Sequence, residues 1–126
     1  MNFTEYRIII AGSRDFKDYE LLKRTLDNYI QSIQGKSFIS IISGTANGAD
    51  KLGEQYAFEH DYLLERFPAD WNTGKTAGRF RNAKMADYAS LKKGVLFAFW
   101  DGKSVGTKHM IECAKKYGLE VHVINY

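Results

Sequence analysis

Val95-Leu96-Phe97-Ala98-Phe99-Trp100, followed directly by Asp101-Gly102-Lys103-Ser104-Val105-Gly106-Thr107, decides the fold of this chain. A continuous apolar run of strand length empties into a turn of small residues. From Thr107 onward, apolar residues recur at Met110, Ile111, Ala114 and Tyr117, which is helical spacing. A strand buried on both faces, a small-residue turn and a helix start make a place for an anion, because the first helical N–H groups have no partner inside the helix. The arrangement is written twice more. Ile8-Ile9-Ile10-Ala11 runs into Gly12-Ser13-Arg14-Asp15, and Phe38-Ile39-Ser40-Ile41-Ile42 runs into Ser43-Gly44-Thr45-Ala46-Asn47-Gly48-Ala49-Asp50.

The remaining elements follow in order. Arg7 is expected to open the first strand, and Asp18 to cap a helix whose stripe is Leu22, Leu26, Tyr29, Ile30 and Ile33, with Gly35 ending it. A second helix is expected from Ala49 to His60, with Gly53 turned inward for close packing on the sheet. Tyr62 to Phe67 reads as a more polar, edge-proximal strand that Pro68 stops, and Pro68 to Thr76 reads as irregular. A helix over Ala77 to Ala89, the strand and helix quoted above, a C-cap glycine at Gly118 and a strand from Glu120 to Ile124 complete the chain.

Strand and helix alternating to the end mean an α/β fold, a single Rossmann-like three-layer domain spanning residues 1–126. Its five-stranded sheet is parallel, with helices on both faces. Right-handed crossovers bring every strand-to-helix turn to one edge, and ligands in such sheets bind where the strand order reverses. The first and fourth strands, each ending in a glycine turn, are the natural flanks. That selects the order 3-2-1-4-5, with 2-1-3-4-5 as second choice.

Composition narrows the function. The chain has 126 residues, 44% hydrophobic and 26% charged, which is the range of an ordinary globular protein and not of a disordered one. There is no apolar run long enough to cross a bilayer and no charged-then-apolar leader, so a cytoplasmic protein without membrane contact is expected. One cysteine, Cys113, excludes a disulfide framework and reads as a small buried residue. His60, His109 and His122 show no metal spacing, and neither metal nor cofactor is expected. The formal charge of +3 helps attract phosphate but is no nucleic-acid signature. Gly74-Lys75-Thr76 imitates the tail of a phosphate loop, yet Ala69 stands where its first glycine belongs.

The chemistry-bearing candidates are therefore the turns. Gly12, Ser13 and Arg14 offer close backbone approach, a hydroxyl and a planar cation. Ser43, Gly44, Thr45, Gly48 and Ala49 can cradle a ligand with backbone amides, and Asp50 sits in a first helical turn. Gly78, Asn82 and Met85 share a helix face with Arg81 beside them, while Trp71 and Trp100 lie near the same sheet edge, where either could stack on a base. Asp101, Gly102, Ser104, Gly106 and Thr107 form the fourth-strand turn.

Gly12-Ser13-Arg14-Asp15-Phe16, Ser43-Gly44-x-x-x-Gly48-Ala49-Asp50, Ala69-Asp70-Trp71 with Gly78-x-x-Arg81-Asn82-x-x-Met85, and Trp100-Asp101-Gly102-x-Ser104-x-Gly106-Thr107 together resemble the YspA-type, YpsA-related branch of the SLOG superfamily. The resemblance covers nearly the whole chain. It implies a Rossmann-like domain binding a nucleotide-derived small molecule, with ADP-ribose or a nucleoside phosphate as the ligand type and a homo-oligomer as an open possibility. Relatives include LOG-type phosphoribohydrolases, DprA-type DNA-binding proteins and SLOG sensor domains. The LOG enzymes carry Pro-Gly-Gly-x-Gly-Thr-x-x-Glu at the fourth-strand turn, the glutamate being catalytic. Here Gly106-Thr107 matches, but Met110 occupies the glutamate position and Asp101-Gly102 replaces Pro-Gly. Three readings stay open: a binding module that senses or sequesters its ligand, an N-glycosidic hydrolase using Asp101 or Asp50, kept ionised by a dipole or an arginine, and a DprA-like DNA-binding protein. The missing glutamate favours the first.

Overall fold

A computed structural model describes residues 3–33 and 37–126. Its elements are β1 (Thr4–Gly12), α1 (Tyr19–Ser32), β2 (Ser37–Ser43), α2 (Ala49–Glu59), β3 (Leu63–Arg66), α3 (Ala77–Ser90), β4 (Lys93–Trp100), α4 (Val105–Lys116) and β5 (Glu120–Asn125), with a short 3-10 turn at Trp71–Thr73. The five strands form one parallel sheet in the order β3-β2-β1-β4-β5. This is the first-choice topology, and the order reverses between β1 and β4.

The continuous apolar runs are explained by two-sided burial. Ile8 and Ile10 of β1 enter the core formed with α1 and α2, through Leu22, Leu26, Tyr56 and Ala57. Ile9 and Ala11 point the other way, into the core formed with α3 and α4, through Met85, Ala89, Met110 and Ala114. In β4, Val95, Phe97 and Phe99 join the first core, and Leu96 and Ala98 the second. Gly53 lets α2 lie directly on β1, since a Cβ there would come within 2.8 Å of the Ile10 Cβ. The Asp18 carboxylate caps α1 by accepting from the Leu21 N–H at 3.0 Å.

Some boundaries differ from expectation. β1 begins at Thr4 rather than Arg7, because Thr4, Glu5 and Tyr6 already pair with Ser37, Phe38 and Ile39 of β2. β3 is shorter than expected: Tyr62 and Phe67 flank it, and it lies at the sheet edge as its polarity implied. The stretch from Pro68 to Thr76 is not wholly irregular, since Asp70 caps the 3-10 turn by accepting from the Asn72 N–H. α4 starts at Val105, and Tyr117 is an exposed C-cap residue outside the apolar stripe. Gly118, at φ +77°, takes the left-handed conformation expected after a helix end. Gly35 lies outside the described residues. Among the described residues no helix is long and apolar enough to cross a membrane.

Candidate functional site

Parallel pairing puts the three glycine turns at one sheet edge, and Ser13 binds them together. Its backbone N–H donates to the Phe99 carbonyl at 3.0 Å, so the first turn stays tied to β4. Its carbonyl accepts from the Ala49 N–H at 3.4 Å, at the start of α2. Its hydroxyl accepts from the Asp101 N–H at 3.1 Å, in the fourth-strand turn. Ser13 is only 2% exposed, so it holds the turns and does not reach outward. The contact between the first and second turns needs a glycine at Gly48: φ is +82°, and a Cβ would stand 2.3 Å from the Ser13 carbonyl oxygen.

Asp50 organises the second turn from within. One carboxylate oxygen accepts from the Ala46 N–H at 3.1 Å, and the residue is 5% exposed. Burial pushes its carboxyl from 3.8 up to about 6, against the pull of the Ala46 N–H and of Arg81. Above about pH 6 Asp50 is still a carboxylate, and what differs from expectation is its place, buried within the turn and not at its lip. Ser43 faces away from the cleft, donating to Glu54 Oε2 at 2.7 Å and accepting from the Thr45 N–H at 3.0 Å. Thr45 holds φ at +68°, a left-handed conformation that costs a threonine about 1–3 kcal/mol.

Arg81 reaches from α3 to this turn. Its Nη1 donates to the Gly44 carbonyl, and its Nε donates to Asn82 Oδ1 at 3.0 Å. Burial lowers its pKa, Asp50 opposes that fall, and Arg14 adds to it. Asn82 Nδ2 lies 3.1 Å from His109 Nδ1 and donates to the Gly106 carbonyl at 3.4 Å. α3 and α4 are thereby joined through one buried amide.

The fourth-strand turn closes on Asp101. Its Oδ1 accepts from the Lys103 and Ser104 N–H groups, both at 2.8 Å. The Ser104 and Lys103 amides hold its carboxyl below the ordinary aspartate value. Ser104 caps α4, its Oγ accepting from the Thr107 N–H. The next helical bond runs from the Lys108 N–H to the Ser104 carbonyl, which leaves the Val105 and Gly106 N–H groups to the outside.

Between α3 and α4, above the β1–β4 reversal, lies a cleft of about 250 Å³. Arg14, Arg79, Arg81 and Lys75 give it positive walls, Met85 and Met110 an apolar floor, and Ser104 to Thr107 present the start of α4. Trp71, 57% exposed, forms one side, its ring lying over Gly78, where a Cβ would sit 3.3 Å from Trp71 Cη2. Cavities of about 410 and 370 Å³ adjoin it, and Arg14 lines all three. Among the described residues no ion pair involves Arg14.

The family model described as "YspA, cpYpsA-related SLOG family" matches residues 6–74, from β1 through the second turn to the 3-10 turn. The chain belongs to this SLOG family. It is also similar to the Gene 61 protein of Mycobacterium phage D29, with 34% identity over 122 residues, covering 91% of this chain and 93% of the relative. No solved structure matches it.

In this SLOG chain Gly12, Arg14, Asp50, Trp71, Arg81, Asn82, Ser104, Gly106 and Thr107 line the cleft between α3 and α4. Ser13 and Asp101 border one adjoining cavity, and Gly44 and Thr45 the other. Ser43, Gly48, Ala49 and Gly102 line none of the three and act through the shape of the turns. Trp100 packs against the α3–α4 core with its indole N–H donating to the Ser104 carbonyl at 3.0 Å, which commits it to the fold. Sequence reading passed over Lys75, Arg79 and His109 as cleft residues. The signal for His109 was present: Gly106, His109 and Met110 stand at helical i, i+3 and i+4.

Proposed function

We propose that the chain binds a nucleotide-derived ligand bearing phosphate, of ADP-ribose or nucleoside-phosphate type, and serves as a sensing or sequestering module. The observation that carries this reading is Arg14, a planar cation at the meeting point of three cavities, beside the uncapped Val105 and Gly106 N–H groups. A fork of donors and a helix N-terminus are complementary to a phosphate. Trp71 over Gly78 and the Met85–Met110 floor supply an aromatic face and an apolar seat of the kind a base uses.

Binding without chemistry is favoured by the carboxylates. Asp50 is the one carboxylate among the described residues lining the cleft between α3 and α4, and it is occupied with Ala46. Asp101 is occupied with two amides of its own turn.

Calorimetry with ADP-ribose, AMP and NAD, set against adenosine, tests the reading. Heat of binding for at least one phosphate-bearing compound and none for adenosine is the expected result. Equal binding of adenosine, or no binding of any of them, would overturn it.

A further inference from the structure

The hydrogen bonds around Asn82 determine more than its own orientation. Arg81 Nε can only donate, so the Asn82 atom 3.0 Å from it is the carbonyl oxygen. The Gly106 carbonyl can only accept, which independently places the amide nitrogen on the opposite side. That nitrogen lies 3.1 Å from His109 Nδ1, and it is a donor. Nδ1 must therefore carry a lone pair, and the ring proton belongs on Nε2.

A charged imidazole has no place in this arrangement. A proton on Nδ1 would set two donors against each other, and turning the Asn82 amide to relieve them would lose both Arg81 and Gly106. Burial and Arg79 lower the His109 pKa, and Glu112 opposes them without reversing the fall. Cys113 Sγ lies 3.5 Å from Nε2 and 3.8 Å from Nδ1. Nearly equal distances put the sulfur beside the ring and not in line with the Nε2–H.

We infer that His109 is a specificity-determining residue whose neutral Nε2–H donates to an acceptor on the nucleoside part of the ligand, with Asn82 positioning it. His109 lies three residues beyond Gly106 on α4, about 4.5 Å further along the helix axis, and lines the same cleft. A single neutral donor there donates to a hydroxyl, carbonyl or ring-nitrogen lone pair and refuses a cation. This rests on the nucleotide reading above.

Two measurements decide it. Imidazole ¹⁵N shifts of the ligand-free protein at pH 7.5 should show a bare Nδ1 and a protonated Nε2 for His109, and a mixture of tautomers in Asn82→Ala. A protonated Nδ1 in the unsubstituted protein would overturn the assignment. By calorimetry, His109→Phe should weaken AMP and ADP-ribose about tenfold, leave inorganic pyrophosphate unchanged, and be partly rescued in His109→Gln, whose amide can donate. Unchanged nucleotide affinity in His109→Phe would overturn the donor role while leaving the nucleotide reading intact. Failure of the unsubstituted protein to bind either nucleotide would overturn that reading and the donor role with it, and the ¹⁵N shifts would still decide the tautomer.

Discussion

The Asp101 N–H donates to the Ser13 hydroxyl at 3.1 Å across 88 positions of sequence, closing the sheet edge at the point where strand order reverses. The bond joins the turn after β1 to the turn after β4, the two elements that flank the cleft. Ser13→Ala removes the acceptor and leaves an amide of a tight turn without a partner. A loss of about 1–2 kcal/mol in unfolding free energy is expected, measured by urea denaturation. An unchanged midpoint would mean that water replaces the hydroxyl and that the turns are not tied through it.

The sheet was legible because its signals are local and redundant. Ile8-Ile9-Ile10-Ala11 and the β4 run are apolar without alternation, and only a strand covered on both faces accommodates that. The glycine turns marked the sheet edge, and right-handed crossovers placed them together. Side-chain commitments across the edge were not legible. That Asp50 points inward to Ala46, or that Arg81 closes on the Gly44 carbonyl, depends on how α2 and α3 lean on the turn, which no spacing encodes. Arg79 and His109 reach the cleft through the packing of α3 against α4, and Lys75 from the loop ahead of α3.

Asp50 gives a test in pH. Burial raises its carboxyl from 3.8 to about 6, so between these values the folded chain holds a proton that the unfolded chain has released. The contribution of Asp50 to stability then falls as pH rises from about 4 through 6 and levels off above, by roughly 3 kcal/mol for a shift of about two units. Asp50→Asn keeps an oxygen for the Ala46 N–H and removes the titration. Urea unfolding at several pH values from 4 to 8 should show the stability of the Asp50→Asn variant rising relative to the unsubstituted protein over that window. Parallel curves for the two proteins would refute the raised value.

Arg14 and Arg81 both reach the cleft, yet their substitutions should separate. Arg14 is exposed and, among the described residues, enters no ion pair, so Arg14→Ala is expected to leave stability unchanged. Its cost falls on binding of a phosphate-bearing compound, about 1.5–3 kcal/mol, with lysine restoring only part. Arg81→Ala removes the donor to the Gly44 carbonyl and the cation nearest the buried Asp50. A stability loss of about 2–3 kcal/mol at pH 8 is expected in addition to weaker binding. Denaturation and calorimetry on both variants check this, and equal stability losses would place Arg14 in the fold and not at the ligand.

The last expectation concerns chemistry. Cleaving an N-glycosidic bond builds positive charge on the ribose, and a carboxylate must lie near it or activate the water that attacks. At the position where the resembling hydrolases carry glutamate, this chain has Met110, 2% exposed and packed with Ile111 and Ala114 against Met85. Asp101 could supply a charge, since its carboxyl is held below the ordinary value, but its Oδ1 already accepts two amides of its own turn. Asp50 is buried, shares its oxygen with Ala46, and is partly protonated near pH 6. Purified protein incubated with AMP, NAD and ADP-ribose should therefore release neither base nor ribose phosphate, as followed by chromatography, while calorimetry on the same preparation registers binding. Release of base that disappears in Asp101→Asn with affinity retained would reverse the conclusion and assign Asp101 the catalytic charge. Release that persists in Asp101→Asn but vanishes in Asp50→Asn would assign it to Asp50.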